Sequence, residues 1–327
     1  MQFRDFIGNE KIKEQLTYLI ASGRLPHAIV LEGEEGLGKR TLARELALML
    51  LCRSEEERPC RQCAQCNKVL KGIHPDVYEY SAEGGPRSFS VNVVRDVRDN
   101  VFMQPNEADY KIYILGNCQC MGAPAQNALL KVLEEPPAYA VFILTVTNQS
   151  ELLETVLSRS VVMKLEGVES HAAAAYICAQ NEGVSKEEAL QAVQAWNGNI
   201  GKALQSLNDG KYARIGSIAV SLAEASVSDF EYDLIKACSV LAGDREGMLS
   251  VLRLLKNIYR DALAQGSGDL LSGQTQTAKL LASKLTRAKL MKLCEACDHL
   301  RLLGEKNANN ALMITKIPYE LRRAMGR

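Results

Sequence analysis

The chain has no excess charge of either sign, with 39 Lys+Arg against 39 Asp+Glu in 327 residues. Strong electrostatic capture of DNA by the whole chain is thereby excluded, though a local basic patch could still meet a duplex. No apolar run approaches the ~18 residues that a membrane-spanning helix requires. The opening stretch from Met1 to Phe6 has no apolar signal core, so a cytoplasmic protein without membrane contact is expected. Histidine is scarce and scattered, at 27, 74, 171 and 299, so no histidine-built catalytic centre is indicated. Repeats and low-complexity tracts are absent.

What remains is an ordinary globular composition, 47% hydrophobic, with length enough for two or three cores. Residues 33–39 read Gly-Glu-Glu-Gly-Leu-Gly-Lys. They follow an apolar strand, Ala28–Leu31, and precede a helix over 40–51. That context fits a phosphate-binding loop. Gly33, Gly36 and Gly38 let backbone N–H groups curl round phosphate oxygens, and Lys39 reaches the terminal phosphates. Position 40 departs from the pattern. A hydroxyl there would ligate Mg²⁺, and Arg40 cannot. Thr41 carries a hydroxyl but points about 100° away on a helix. Binding of ATP or ADP without hydrolysis is left open by these residues, and Mg²⁺ is not expected.

A hydrolysing site also needs an acidic pair at the end of a neighbouring strand. The candidate strand, Lys111–Leu115, runs into Gly116-Asn117-Cys118 instead. Glu134-Glu135 before Pro136-Pro137 is no substitute, because adjacent residues at a helix end diverge.

There are ten cysteines. Cys52, Cys60, Cys63 and Cys66 fall within fifteen residues, and two-residue gaps let neighbouring thiolates share one ion. A closed four-thiolate site is structural, so Zn²⁺ is expected to hold an insertion at about 52–75. His74 lies just beyond it but would be a fifth ligand. The other six cysteines read as buried small hydrophobes.

Strands are expected at 28–31, 76–80, 111–115, 140–145 and 160–165, and helices at 10–22, 40–51, 90–103, 124–134 and 150–156. This alternation predicts an α/β domain over 1–165 with a covered parallel sheet. After 166 the strand signals stop. Ser170–Glu182, Ser185–Trp196 and Ile200–Leu207 make a three-helix lid over 166–210, with Ser185 and Glu188 forming a capping box. Residues 211–327 are all helical, at about 213–225, 229–242, 244–265, 275–303 (interrupted) and 305–325. A polar loop is expected at 266–269 and 272–275.

Several of these segments together resemble the bacterial clamp-loader AAA+ subunits. They are Ile7-Gly8-Asn9, Arg24-Leu-Pro-His27, the phosphate loop, the four-cysteine insertion, Asn127-Ala-Leu-Leu-Lys-Val-Leu-Glu-Glu-Pro-Pro137 and Leu157-Ser-Arg-Ser160, in family order over 1–165. The resemblance implies an AAA+ domain, a lid and a C-terminal collar for oligomerisation over 211–327. It implies a component of the DNA polymerase III holoenzyme that helps load the sliding clamp on primer–template DNA. Partners would be the motor (gamma/tau) and delta subunits. Within the family, Arg40, Gly116-Asn117 and Gly201 stand where the motor branch has a hydroxyl, an acidic pair and a phosphate-sensing arginine. The non-motor delta-prime branch is therefore the better match, and the gamma/tau ATPase is the alternative. By the same resemblance, Arg159 is an arginine finger acting on ATP bound by a neighbour, and Thr147 stands at the first phosphate-sensing position.

Overall fold

The computed structural model describes residues 2–82, 89, 91–181, 183–208, 210–228, 230–264, 272, 274–305 and 309–326. The loop expected at 266–269 lies outside the described residues. The chain divides into two compact units, Met1–Val168 and Glu169–Arg327.

The first unit alternates helix and strand: α1 (Glu10–Ala21), β1 (Ala28–Glu32), α2 (Lys39–Leu51), α3 (Ala64–Leu70), β2 (Val77–Ser81), α4 (Val91–Val101), β3 (Lys111–Gly116), α5 (Ala123–Glu134), β4 (Ala140–Val146), α6 (Glu154–Leu157) and β5 (Val161–Lys164). The strands form one parallel sheet in the order β2-β3-β4-β1-β5. β1 and β4 are buried along their whole length, as near-continuous apolar runs must be when both faces are covered. The period-2 alternation of a strand divides the core in two. Val30, Tyr113, Leu115, Phe142 and Leu144 face the side that packs Val97 of α4 and Leu129 and Val132 of α5. Ile29, Leu31, Ile112, Ile114 and Ile143 face the side that packs Leu16 of α1 and Leu42 and Leu46 of α2. This places the C-terminal ends of β1, β3 and β4 together at one sheet edge, and the phosphate loop springs from it.

Two local expectations differ from the structure. The segment 150–156 is not one helix. A 3-10 turn at Gln149–Glu151, capped by Asn148, gives way to extended Leu152 and Leu153 before α6. The cysteine insertion also contains a short helix, α3. Its N-cap is Cys63, whose sulfur accepts from the Cys66 N–H in place of the usual oxygen.

The second unit is entirely helical among its described residues: α7 (Ser170–Gln180), α8 (Lys186–Ala195), α9 (Ile200–Asn208), α10 (Lys211–Ser226), α11 (Glu231–Ser239), α12 (Arg245–Ala264), α13 (Thr275–Lys284), α14 (Arg287–Glu305) and α15 (Asn310–Met325). The Ser185/Glu188 capping box is present in both directions at the start of α8. The interruption expected inside 275–303 falls at Leu285-Thr286. α12 packs chiefly on α14, around fully buried Tyr259, Leu293 and Leu300. No helix among the described residues is long and apolar enough to cross a membrane.

Candidate phosphate loop and metal centre

β1 ends on Glu32, and the chain then turns through Gly33–Gly38 into α2. Gly36 and Gly38 take φ of 90° and 80°, a left-handed conformation that side chains resist. Gly38 also passes close to Phe6, where an added Cβ would meet the ring at 3.2 Å. The glycines are therefore required by this path. Lys39 opens α2, is 8% exposed, and turns back into the loop. Its ammonium donates to the carbonyls of Gly33 and Glu34, the latter at 2.9 Å.

Arg40 points elsewhere. Its Nε pairs with Glu79 Oε1 on β2, and Arg44, one turn on, gives Nη2 and Nε to Glu79 Oε2 at 2.9 and 3.0 Å. Both arginines are at least half exposed. Thr41 is only partly buried.

At the end of β3 the acidic pair is absent and its space is taken. A Cβ on Gly116 would lie 3.0 Å from Ser81 Oγ and 3.2 Å from Ser81 Cβ. Asn117 is left-handed at φ 58° and its N–H donates to Thr145 Oγ1 at 3.0 Å. Thr147 is exposed and gives its hydroxyl to Glu151 at 2.7 Å. In the second unit, Lys202 beside Gly201 holds its ammonium 5.6 Å over the Trp196 ring.

Arg159 lies between α6 and β5 with its side chain one-third exposed. Its Nη2 pairs with Glu134 Oε1 at 2.8 Å, and its Nη1 donates to Thr155 O at 2.9 Å and Ser158 Oγ at 3.3 Å. The last residue of α5 thus orients this guanidinium. Glu135, next along, turns away from helical geometry before the two prolines.

The cysteine group converges. The sulfurs of Cys52, Cys60, Cys63 and Cys66 all lie within 4.8 Å of one another. A tetrahedral zinc site needs sulfurs about 3.8 Å apart, so small adjustments complete it. Backbone N–H groups aim at the sulfurs, from Cys60 to Cys52, Cys63 to Cys60 and Cys66 to Cys63, at 3.3–3.5 Å. Such donors favour thiolates. The N–H groups of Gln62 and Cys63 draw the Cys60 thiol down to about 6. Burial pushes the Cys66 thiol up, which is the charge cost that a bound cation would remove. The four thiols form a cluster that can hold a metal ion. His74 is not part of it. Its Nε2 meets Gln65 Oε1 at 2.6 Å and its Nδ1 accepts from the Asp76 N–H at 3.0 Å.

Two carboxylates at these sites, Glu79 and Glu32, escaped sequence reasoning, and a third, Glu134, was read there only as part of a helix end. Glu79 and Glu134 are the ion partners of Arg40 and Arg159, 39 and 25 positions away in the chain. Glu32 is 8% exposed at the edge where the loop begins, with Oε1 accepting from the Gln149 N–H at 3.4 Å. Its one available signal was a carboxylate closing an otherwise apolar strand.

Residues 8–169 match the family described as DNA polymerase III, delta subunit. DNA polymerase III subunit gamma of Buchnera aphidicola subsp. Acyrthosiphon pisum (strain APS) is 36% identical over 165 residues, covering 50% of this chain and 45% of that protein. DNA polymerase III subunit tau of Bacillus subtilis (strain 168) is 28% identical over 311 residues, covering 93% of this chain and 52% of that protein. The chain thus spans about half the length of the curated relatives it matches. Among solved structures, a DNA polymerase III gamma subunit-related protein from Thermotoga maritima MSB8 is 20% identical, with 95% and 99% of the two chains covered and a TM-score of 0.40. The names of the relatives favour the gamma/tau reading over the delta-prime reading that the substituted residues suggest. At the level common to both readings, residues 8–169 are similar to DNA polymerase III subunits named delta, gamma and tau.

Proposed function

We propose that this chain is a clamp-loader subunit of DNA polymerase III, acting in the cytoplasm within an assembly that places the sliding clamp on primer–template DNA. The family match over 8–169, with a glycine loop ending in Lys39 at the sheet edge, carries this reading. Residues 166–210 would supply the lid and 211–327 the collar by which subunits assemble. Zinc on Cys52, Cys60, Cys63 and Cys66 would be structural.

Kinship with proteins named gamma and tau supports a motor subunit. A specific observation supports the other reading, a non-hydrolysing delta-prime-type subunit. Arg40 is tied to Glu79, and Gly116 has Ser81 where a carboxylate would need room. In that role the chain would work beside motor gamma/tau and delta subunits and offer Arg159 to ATP on a neighbour. A guanidinium stays charged and forks onto two phosphate oxygens, which suits such a finger. An ATPase assay on the purified chain separates the readings. The site chemistry predicts no turnover above background. Steady hydrolysis that Lys39→Ala abolishes would establish the motor reading instead.

A further inference from the structure

We propose that the loop 33–38 takes the polyphosphate of a nucleoside di- or triphosphate as a metal-free anion. Arg40, backed by Arg44, replaces the countercharge of magnesium, and Glu79 holds both guanidiniums until phosphate displaces it. This rests on reading the loop as a nucleotide cradle and adds the form of the ligand.

Magnesium does not fit the residues present. Three positions where hard oxygen ligands would be needed, 40, 116 and 117, do not supply them. Position 40 presents a guanidinium, which has no acceptor and repels a cation. Position 116 carries no side chain, and Ser81 occupies its space. Asn117 has its N–H on Thr145 and its side-chain amide directed at the Ala82 carbonyl at 3.4 Å. The local charge is mixed, with Glu32, Glu34 and Glu35 at or in the loop and Glu79 on β2. Lys39, Arg40 and Arg44 sit within the first two turns of α2, whose N-terminus adds partial positive charge. A dication placed at the start of this helix meets these three side chains first, and none of them can ligate it.

The same charges suit an anion. Arg40 uses only its Nε on Glu79, and its Nη groups have no partner among the described residues. Those donors belong to a side chain that is 60% exposed and that begins one residue after Lys39 of the loop. Glu79 divides one carboxylate between two guanidiniums, Oε1 for Arg40 and Oε2 for Arg44. Solvent-exposed pairs of this kind hold weakly, whereas an arginine–phosphate contact is charge-assisted and forked. Phosphate therefore wins Arg40 from Glu79, and Arg44 keeps the carboxylate satisfied after the exchange. No bond is made or broken, so the site binds without turnover.

The test is calorimetric titration of the full-length chain with ADP and with ATP, in magnesium and in excess EDTA. Affinity should be the same in both media within about twofold, because no metal ligand is involved. Arg40→Ala should weaken binding about tenfold or more in either medium, as expected for loss of a charge-assisted contact. Glu79→Gln should tighten it about threefold by removing the competing carboxylate. Circular dichroism checks that each variant is folded. If neither nucleotide binds in either medium, the cradle reading itself fails and the inference falls with it. Lys39-dependent binding that is lost in EDTA would keep the cradle and overturn the inference. Metal-free binding indifferent to Arg40→Ala would also overturn it, because the countercharge would then come from elsewhere.

Discussion

Asp76→Asn should destabilise the first unit by several kcal/mol, although it removes no packing volume. Asp76 is fully buried at the entry to β2. Its Oδ1 accepts from the Asn106 N–H and from Asn106 Nδ2 at 3.0 Å. Its Oδ2 accepts from the N–H groups of Glu107 at 2.8 Å and Ala108 at 3.0 Å. Asparagine keeps one oxygen and presents an amide NH₂ at the other position. Two backbone donors then face a donor. A hydrogen bond to a charged group contributes ~1.5–3 kcal/mol, so losing two costs about 3–6 kcal/mol. The pH dependence follows the same contacts. Burial would raise the Asp76 carboxyl, but the donors of 106–108 outweigh it and hold it below its ordinary value. Its stabilisation is full above the unfolded pKa and is lost as pH falls through the lower folded value. The variant should lack this acid-side loss. The assay can resolve the two units. The single tryptophan, Trp196, is buried in the second unit, so its fluorescence in urea follows that unit and should not move. Hydrogen exchange at 105–110 follows the first. Exchange should also quicken at 53–68, because the Glu107 carbonyl accepts from Arg53 at 2.7 Å and from Gln65 at 3.4 Å. A loss below about 1 kcal/mol in the first unit would refute the reasoning, since even one such bond contributes more.

Metal analysis of chain prepared without chelator should find one zinc per molecule. Cys63→Ser or Cys66→Ser should bring that well below half, and a metal-free wild type would reject the site. If the chain is the delta-prime-type subunit proposed above, Arg159→Ala should leave assembly intact while ATP hydrolysis at one neighbouring site falls ~10³-fold, with Arg159→Lys rescuing poorly. Total turnover of the ring then drops by a fraction, and an unchanged rate in a properly assembled ring would leave Arg159 a surface residue. Arg61→Met should cost about 3–5 kcal/mol at neutral pH, because it strands the buried Glu45 carboxylate. Burial already raises that carboxyl, so its penalty grows as pH rises past the unfolded pKa, and urea midpoints should show the variant recovering toward acid pH.

Elements whose signal is local were legible in the sequence. β1 and β4 read as strands because apolar runs of strand length follow turn residues, and both are buried throughout. α5 was bounded by Pro136-Pro137 and α8 by its capping box, two devices that act within four residues. The cysteine group was legible for the same reason, since two-residue gaps constrain the sulfurs directly. Features that depend on distant partners were not legible. Nothing near Arg40 announces Glu79, and nothing near Arg159 announces Glu134, because ion pairs across a sheet have no period. α3 was missed because a thiol caps it, and cysteine is not among the usual caps. The broken 149–157 segment has the composition of a helix, but buried Leu152 is drawn into the core in extended form.

The two candidate sites are mechanically joined, which bears on why a structural metal would sit beside a phosphate loop. Cys52 caps the C-terminus of α2, and Lys39 is the residue on which the helix begins. Between Cys60 and Cys63, Arg61 takes a left-handed turn at φ 59°. From there it reaches Glu45, in the middle of α2, and Asp5 at 2.8 Å. Glu45 is 1% exposed, and its Oε1 also accepts from the Asp5 N–H at 3.1 Å. A left-handed arginine costs conformational energy and persists only where the surroundings over-determine it. Here the flanking thiols do so. On the far side, Arg53, Gln65 and Lys68 grip the turn at Glu107, which Asp76 fastens to β2. The insertion is therefore a clamp between the C-terminal half of α2 and the start of β2. Loosening its sulfurs releases Arg61 first and leaves a buried carboxylate in the helix that presents Lys39 and Arg40. On this reading the metal's work is to keep one helix from shifting, and its loss should be felt at the phosphate loop without any metal–phosphate contact.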